Sequence, residues 1–125
     1  MYASYYFMLI LDNTIVQCQS RLLDGDYTWQ GRVEINYNNT WGSVCDDAWD
    51  VEDANVVCRQ LGFVRAVSAP RFSPFGQSSG PIWLDQLGCA GTEASLCECT
   101  ANNVGVHDCS HFEDAGAVCQ GIYTQ

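Results

Sequence analysis

The sequence predicts one disulfide-stabilised domain of mixed α and β type, and three observations carry that prediction. Eight cysteines stand in 125 residues, segment 31–45 alternates like a β-hairpin, and segment 50–62 has the period of an amphipathic helix. A hydrophobic content of 47% suits a chain with a modest core and argues against disorder. The cysteines, at positions 18, 45, 58, 89, 97, 99, 109 and 119, form no CxxC pair of the zinc-finger type. Their even number and wide separation point to disulfides and an oxidising compartment.

Each element has a local reason. In GRVEINYNNTWGSVC, Val33, Ile35 and Tyr37 alternate with Glu34 and Asn36, Asn38 and Asn39 make a turn, and Trp41 to Val44 return. The same turn carries the sequon Asn38-Asn39-Thr40, so Asn38 is a candidate glycosylation site. In DVEDANVVCRQLG, Asp50 caps a helix and Glu52 and Asp53 favour its positive end. Ala54, Val57, Cys58 and Leu61 then form one apolar face of about three turns, and Gly62 is a left-handed stop. Residues 64–80, rich in Ser, Pro and Gly, read as a long surface loop with short extended pieces. Ile82 to Leu84 is a brief strand ending at Asp85, GTEASLCEC offers a helical turn from Thr92, and DAGAVC is a closing strand.

The domain is expected over residues 20–120, with 1–19 as an N-terminal segment and 121–125 as a tail. The apolar run Tyr2 to Leu11 is too short to span a bilayer and lacks the basic start and small-x-small cleavage site of a signal peptide. A signal remnant, a strand and a linker from a preceding domain remain open readings of it.

Charge narrows the partners. The chain has fifteen acids, no lysine and five arginines, Arg21, Arg32, Arg59, Arg65 and Arg71, for a net charge of −10. Nonspecific adhesion to nucleic acid or anionic lipid is therefore unfavourable. Nucleic acid is excluded as a partner, and membrane association is expected only through a parent chain. A polyanion needs a local arginine patch or a bridging cation. Arg65 and Arg71, which border the long loop, are the candidate anion-gripping side chains.

The strings GRVEI, WGSVCDDAWD, DANVVCRQLG, GQSSGPIWLD, CAGTEASL and HFEDAGAVC, in that order over about a hundred residues, resemble a scavenger receptor cysteine-rich domain. The resemblance implies an α+β fold in which a curved antiparallel β-sheet cradles one main helix, with a short second helix. It also implies the six-cysteine pairing Cys45 to Cys109, Cys58 to Cys119 and Cys89 to Cys99. Trp29 and Phe63 stand where eight-cysteine members carry a further pair. Cys18 and Cys97 depart from the pattern. They are expected to bond each other, the alternative being an intermolecular bridge through Cys18 that would make a disulfide-linked oligomer.

The resemblance also assigns chemistry to CDDAWD. It implies that Asp46 and Asp47 act with Glu113 in one cation site, and Asp85 and Asp108, with Asp47 nearby, in a second. Calcium is the expected ion, with magnesium as the alternative, because a hard cation takes several carboxylate oxygens and leaves positions to water or ligand. Against this, single acids commonly accept backbone hydrogen bonds or pair with an arginine, here Arg32 or Arg59. Asp50 and Asp53 are expected only to cap and charge the helix start.

His107 and His111 flank Cys109, but the bridge expected for that cysteine disfavours zinc. The stretch VEINYNNTW resembles a segment that contacts bacterial surfaces in some relatives, with Asn36 in place of an apolar residue. Tryptophans 29, 41, 49 and 83 are expected in the core. No nucleophile is paired with a base and no GxSxG elbow is present, so the domain is expected to bind and not to catalyse. The function expected is an extracellular module binding polyanionic or glycan-bearing ligands, on a microbial surface or in matrix, through a calcium-dependent acidic surface. The alternative is a structural or adhesive module that contacts an extracellular protein in a larger assembly.

Overall fold

The computed structural model describes residues 18–120. The Tyr2 to Leu11 run and the 121–125 tail lie outside the described residues. Among the described residues, six strands and one α-helix follow in the order β1 (Gln19–Asp24), β2 (Gln30–Tyr37), β3 (Thr40–Val44), α1 (Val51–Gln60), β4 (Ala66–Ser68), β5 (Ile82–Leu84) and β6 (Gly116–Cys119).

Strand β2 is the hub of the sheet. Along one edge it pairs antiparallel with β1, from Gln19 opposite Asn36 to Asp24 opposite Gly31. On the other edge, β3 takes its C-terminal half and β6 its N-terminal half, both antiparallel. The predicted hairpin is β2–β3, and Asn38 and Asn39 both have positive φ, 57° and 64°, as its two-residue turn requires. The sheet continues outward through β6 to β4 and through β3 to β5.

The last of these pairings corrects the all-antiparallel expectation. Strands β3 and β5 run parallel, Ser43 opposite Ile82 and Val44 opposite Leu84. A parallel neighbour needs a long crossover, and residues 45–81, including α1, supply it. Strand β1 had no separate sequence signal. The expected second helical turn is a 3-10 turn over Leu96–Glu98, which starts beyond Thr92.

Alternation along β2 sorts the two faces. Val33 and Ile35 are fully buried in the core with Val44, Trp49, Val56, Val57 and Leu96. Arg32 and Glu34 point the other way yet are also buried, because Arg32 Nε meets Glu34 at 2.9 Å, Arg32 meets Asp24 at 2.9 Å and Arg21 meets Glu34 at 2.7 Å. Burial pushes the Glu34 carboxyl up, but the two guanidiniums outweigh it and hold Glu34 below its ordinary pKa. Trp49 alone of the four tryptophans is fully buried, and its indole donates to Gly116 O at 2.9 Å. Trp29, Trp41 and Trp83 are half-buried.

Helix α1 forms as its sequence demands. Asp50 accepts from the amides of Glu52 and Asp53, and Asp53 returns the contact to the Asp50 amide, closing a capping box. Gly62, at φ 98°, turns the chain away after Leu61. The helix packs on β4 and β6. Asp53 does more than charge the helix start. It is completely buried and its Oδ1 accepts from the Cys89 amide at 2.9 Å, so it joins the helix to the next disulfide loop. Burial, with the Asp50 carboxylate close by, pushes its carboxyl up to about 6.

All four bridges form within the chain: Cys18 with Cys97, Cys45 with Cys109, Cys58 with Cys119 and Cys89 with Cys99. The pairing of Cys18 with Cys97 replaces the alternative of an intermolecular bridge. Three bridges span 79, 64 and 61 residues of sequence. Each such closure is worth about 3 to 5 kcal/mol in the chain-entropy account.

Candidate metal centre

Three strand ends converge to make the acidic site. Parallel strands β3 and β5 both finish here, and Cys45 N donates to Leu84 O at 2.8 Å across their ends. Cys45, Asp46 and Asp47 thus leave β3 beside Asp85, which leaves β5. On the third side the approach to β6 begins: Asp46 N donates to Glu113 O at 2.8 Å, and Cys45 bridges to Asp114. Glu113 sits in a 3-10 turn, His111–Glu113, capped by Ser110. The Cys45–Cys109 disulfide brings in the segment that carries Asp108.

The carboxylates fall into two groups that share one member. Oxygens of Asp46, Asp47 and Glu113 lie within 4.8 Å of one another, and oxygens of Asp47 and Asp85 lie within the same distance. Asp108 stands farther out, exposed to solvent, but its charge still raises both Asp47 and Asp85. The Asp47 carboxyl is held above its ordinary value by desolvation first, and then by the charges of Glu113, Asp85, Asp108 and Asp46. Asp85 is raised chiefly by burial and further by Asp108, against nearby backbone amides.

Hydrogen bonds distinguish these acids. Asp46 Oδ2 accepts from the Phe72 amide at 2.7 Å, and Glu113 Oε1 from the Ser110 amide at 2.9 Å, so both have a structural duty as well. Asp85 is different. Only 2% exposed, it has an Oδ1 that accepts no hydrogen bond among the described residues. A buried carboxylate oxygen without a donor is costly in a folded protein. The arginine pairing considered from sequence does not occur here: Arg32 is engaged by Glu34 and Asp24, and Arg59 donates to Glu93 O.

The remaining candidates are scattered. Arg71 donates through its guanidinium to Trp49 O at 2.9 Å while its side chain stays exposed. Arg65 lies at the far end of β6, where its carbonyl accepts from Gln120 N. Asn38 is exposed at the hairpin tip. In VEINYNNTW, Val33, Glu34 and Ile35 are buried, which leaves only the tip of that stretch on the surface. His107 accepts from the Cys109 amide, and His111 places its two ring nitrogens on Asp114 and on Gly80 O.

Sequence reasoning passed over three side chains at the site. Asp114 is fully buried and accepts from the Ser78 amide at 2.7 Å, fastening the long loop to β6. Phe72 and Phe112 are 74% and 70% exposed; the Phe72 amide donates to Asp46 Oδ2, and Phe112 precedes Glu113 in the chain. Only their positions, each next to a site element, could have drawn attention to them.

The scavenger receptor cysteine-rich domain family matches residues 23–120. The chain is 54% identical over 99 residues to galectin-3-binding protein of Pongo abelii, which covers 79% of this chain and 17% of that protein. It is 53% identical over 90 residues to lysyl oxidase homolog 2 of Homo sapiens, which covers 72% of this chain and 12% of that protein. The chain thus spans less than a fifth of the length of these curated relatives. Among solved structures, the third SRCR domain of murine neurotrypsin superposes with a TM-score of 0.75 at 42% identity, covering 83% of this chain and 97% of that one. The dimeric form of the SRCR domain of mouse MARCO gives 0.69 at 48% identity, covering 80% and 93%. No helix among the described residues is long and apolar enough to cross a membrane. The sheet, the helix, the bridges and these likenesses together place the chain in the scavenger receptor cysteine-rich domain family, as an extracellular ligand-binding and protein-interaction module.

Proposed function

We propose that this domain recognises polyanionic or glycan-bearing ligands through calcium held by Asp46, Asp47 and Glu113, with Asp85, Asp108 and the shared Asp47 forming a second position. The observation that carries the reading is the buried Oδ1 of Asp85, which lacks a donor and belongs to a carboxylate within 4.8 Å of Asp47. A cation would satisfy that oxygen and relieve the mutual repulsion of the cluster. The donor set suits a hard ion, since the nearby sulfurs of Cys45 and Cys109 are locked in a disulfide and only oxygens are free to bind. Calcium, tolerant of irregular geometry, fits such a surface site better than magnesium, which demands a near-ideal octahedron.

Bound calcium supplies a positive centre with open coordination positions. A sulfate, phosphate or carboxylate of the ligand fills them, which is how a domain of net charge −10 attracts a polyanion. Arg71, exposed and adjacent in sequence to Phe72, whose amide bonds Asp46, is the arginine available to take a further anionic oxygen. The role is recognition without catalysis, because carboxylates committed to a cation do not serve as proton donors. Affinity for calcium is expected on the order of 0.1 to 1 mM, the range of extracellular modules.

The test is retention on immobilised dextran sulfate in millimolar calcium and in chelator, with the parent and Asp47→Asn. Asp47 makes no hydrogen bond that the fold relies on, so the variant isolates the site. Retention that needs both calcium and Asp47 supports the proposal. Equal retention in chelator would sink it.

A further inference from the structure

The loop that joins β1 to β2, residues 25–29, is fixed at both ends. At its entry Gly25 lies so close to the start of β2 that a Cβ there would run into Gln30 O. At its exit Gln30 N donates to Tyr27 O at 3.2 Å, and Trp29 O accepts from Cys119 N at 2.8 Å. Cys119 ends β6 and is bridged to Cys58 of α1. The loop thus sits at one end of β6, and Glu113 of the carboxylate cluster approaches the other.

Between these anchors two aromatic rings are stacked. The Tyr27 and Trp29 ring centroids are 4.6 Å apart and their planes 3° from parallel. Trp29 is half-buried and packs against the core, while Tyr27 is left 56% exposed. Leu22 and residues 24–30 line one open hollow of about 470 Å³, a size within the range of ligand sites. A ring already stacked on a fixed loop loses little further freedom when a ligand arrives.

The charge of this lining selects the ligand. It holds two carboxylates, Asp24 and Asp26, and no cationic side chain. Asp24 Oδ2 accepts from Arg32 at 2.9 Å, yet the Asp24 side chain is 62% exposed. Asp26 is exposed and joins no ion pair among the described residues. An anion is repelled here, and a neutral sugar stacked on the rings leaves both charges unused. A cation gains from both, because the face of an aromatic ring is electron-rich. A planar guanidinium stacks on a ring and grips a carboxylate with two N–H groups, which a lysine ammonium does not. The chain already uses this combination once: the Arg21 guanidinium lies 4.0 Å over the Trp41 ring while its Nε and Nη2 both donate to Glu34 Oε1.

We infer that the β1–β2 loop is a receptor for an arginine side chain of an extracellular protein partner, held by the Tyr27–Trp29 stack and the carboxylates of Asp24 and Asp26. This contact needs no calcium and stands independently of the carboxylate cluster.

The experiment is an NMR titration of the oxidised chain, in millimolar calcium and in chelator, with the blocked peptide acetyl-Gly-Arg-Gly-amide. Its lysine and citrulline counterparts and methyl glucoside are titrated alongside. The expected result is saturable shifts of the Tyr27 ring and Trp29 indole signals with the arginine peptide, equal in calcium and chelator. Binding is weaker with lysine and absent with citrulline, which keeps the shape and loses the charge. Tyr27→Ala should weaken the arginine peptide about tenfold and Asp26→Asn about threefold. Tyr27→Phe, which keeps the ring, and Asp47→Asn, in the carboxylate cluster, should leave it unchanged. Both altered side chains of the loop are exposed, and a melting curve of each variant checks that the fold is kept. Three results overturn the inference: citrulline or glucoside bound as tightly as arginine, arginine binding lost in Asp47→Asn but kept in Tyr27→Ala, or no saturable binding by the parent.

Discussion

Asp47 faces four other carboxylates, and its chemistry makes the account testable by pH. Its carboxyl and that of Asp85 are raised in the folded state, above a reference near 3.8. Without a cation, the stability these groups contribute is fully present below that reference and is lost as pH rises through their raised values. Asp53 acts in the same direction, its contribution lost as pH rises through about 6. Calcium reverses the balance for Asp47 and Asp85 by favouring the ionised forms, so binding should release protons at mildly acidic pH and weaken as pH falls. Calorimetric titration in two buffers of different ionisation enthalpy reads that release directly, and identical heats in the two would contradict it. Asp47→Asn, which removes one repelling charge, should melt above the parent in chelator and show no further rise with calcium.

At the scale of elements, α1 is the part whose origin is most local. The Asp50 cap, the acids of its first turn, its apolar stripe and Gly62 all lie within thirteen consecutive residues, so the sequence alone defined it. Asp50→Ala should cost about 1 kcal/mol in a denaturant melt, through loss of the amide bonds at Glu52 and Asp53. The hairpin was legible for a similar reason, since Asn38 and Asn39 supply the turn and the alternation of β2 assigns the faces. Other elements depend on distant partners. Strand β1 is defined by its register against β2, and although β5 was expected at Ile82 to Leu84, its parallel pairing with β3 is reached through a long crossover that leaves no local pattern. The burial of Arg32 and Glu34 was also out of reach, because it requires Arg21 and Asp24 on β1 to close over them. The 3-10 turn at His111–Glu113 owes its cap to Ser110, a signal too short to separate from an ordinary turn.

Across the whole molecule, the disulfides and the carboxylate site are two aspects of one arrangement, since Cys45–Cys109 holds the segments carrying Asp46, Asp47 and Asp108 together. Composition showed that bridges exist, but the pairing came from family resemblance, and so did the grouping of Asp85 and Glu113 with CDDAWD. The residues are remote in sequence and meet only because β3 and β5 end, and β6 begins, at one place. Replacing Cys58 and Cys119 by alanine, which unties α1 from β6, should cost about 2 to 5 kcal/mol in a denaturant melt, and full reduction should abolish the cooperative transition. The measurement closest to the central claim is a calorimetric calcium titration of the oxidised chain beside Asp85→Asn, with melting temperatures recorded in calcium and in chelator. Calcium held at the cluster gives saturable binding, a raised melting temperature in calcium, and loss of both in the variant with its bridges intact. Absence of binding by the parent, or an equal response from Asp85→Asn, would contradict it.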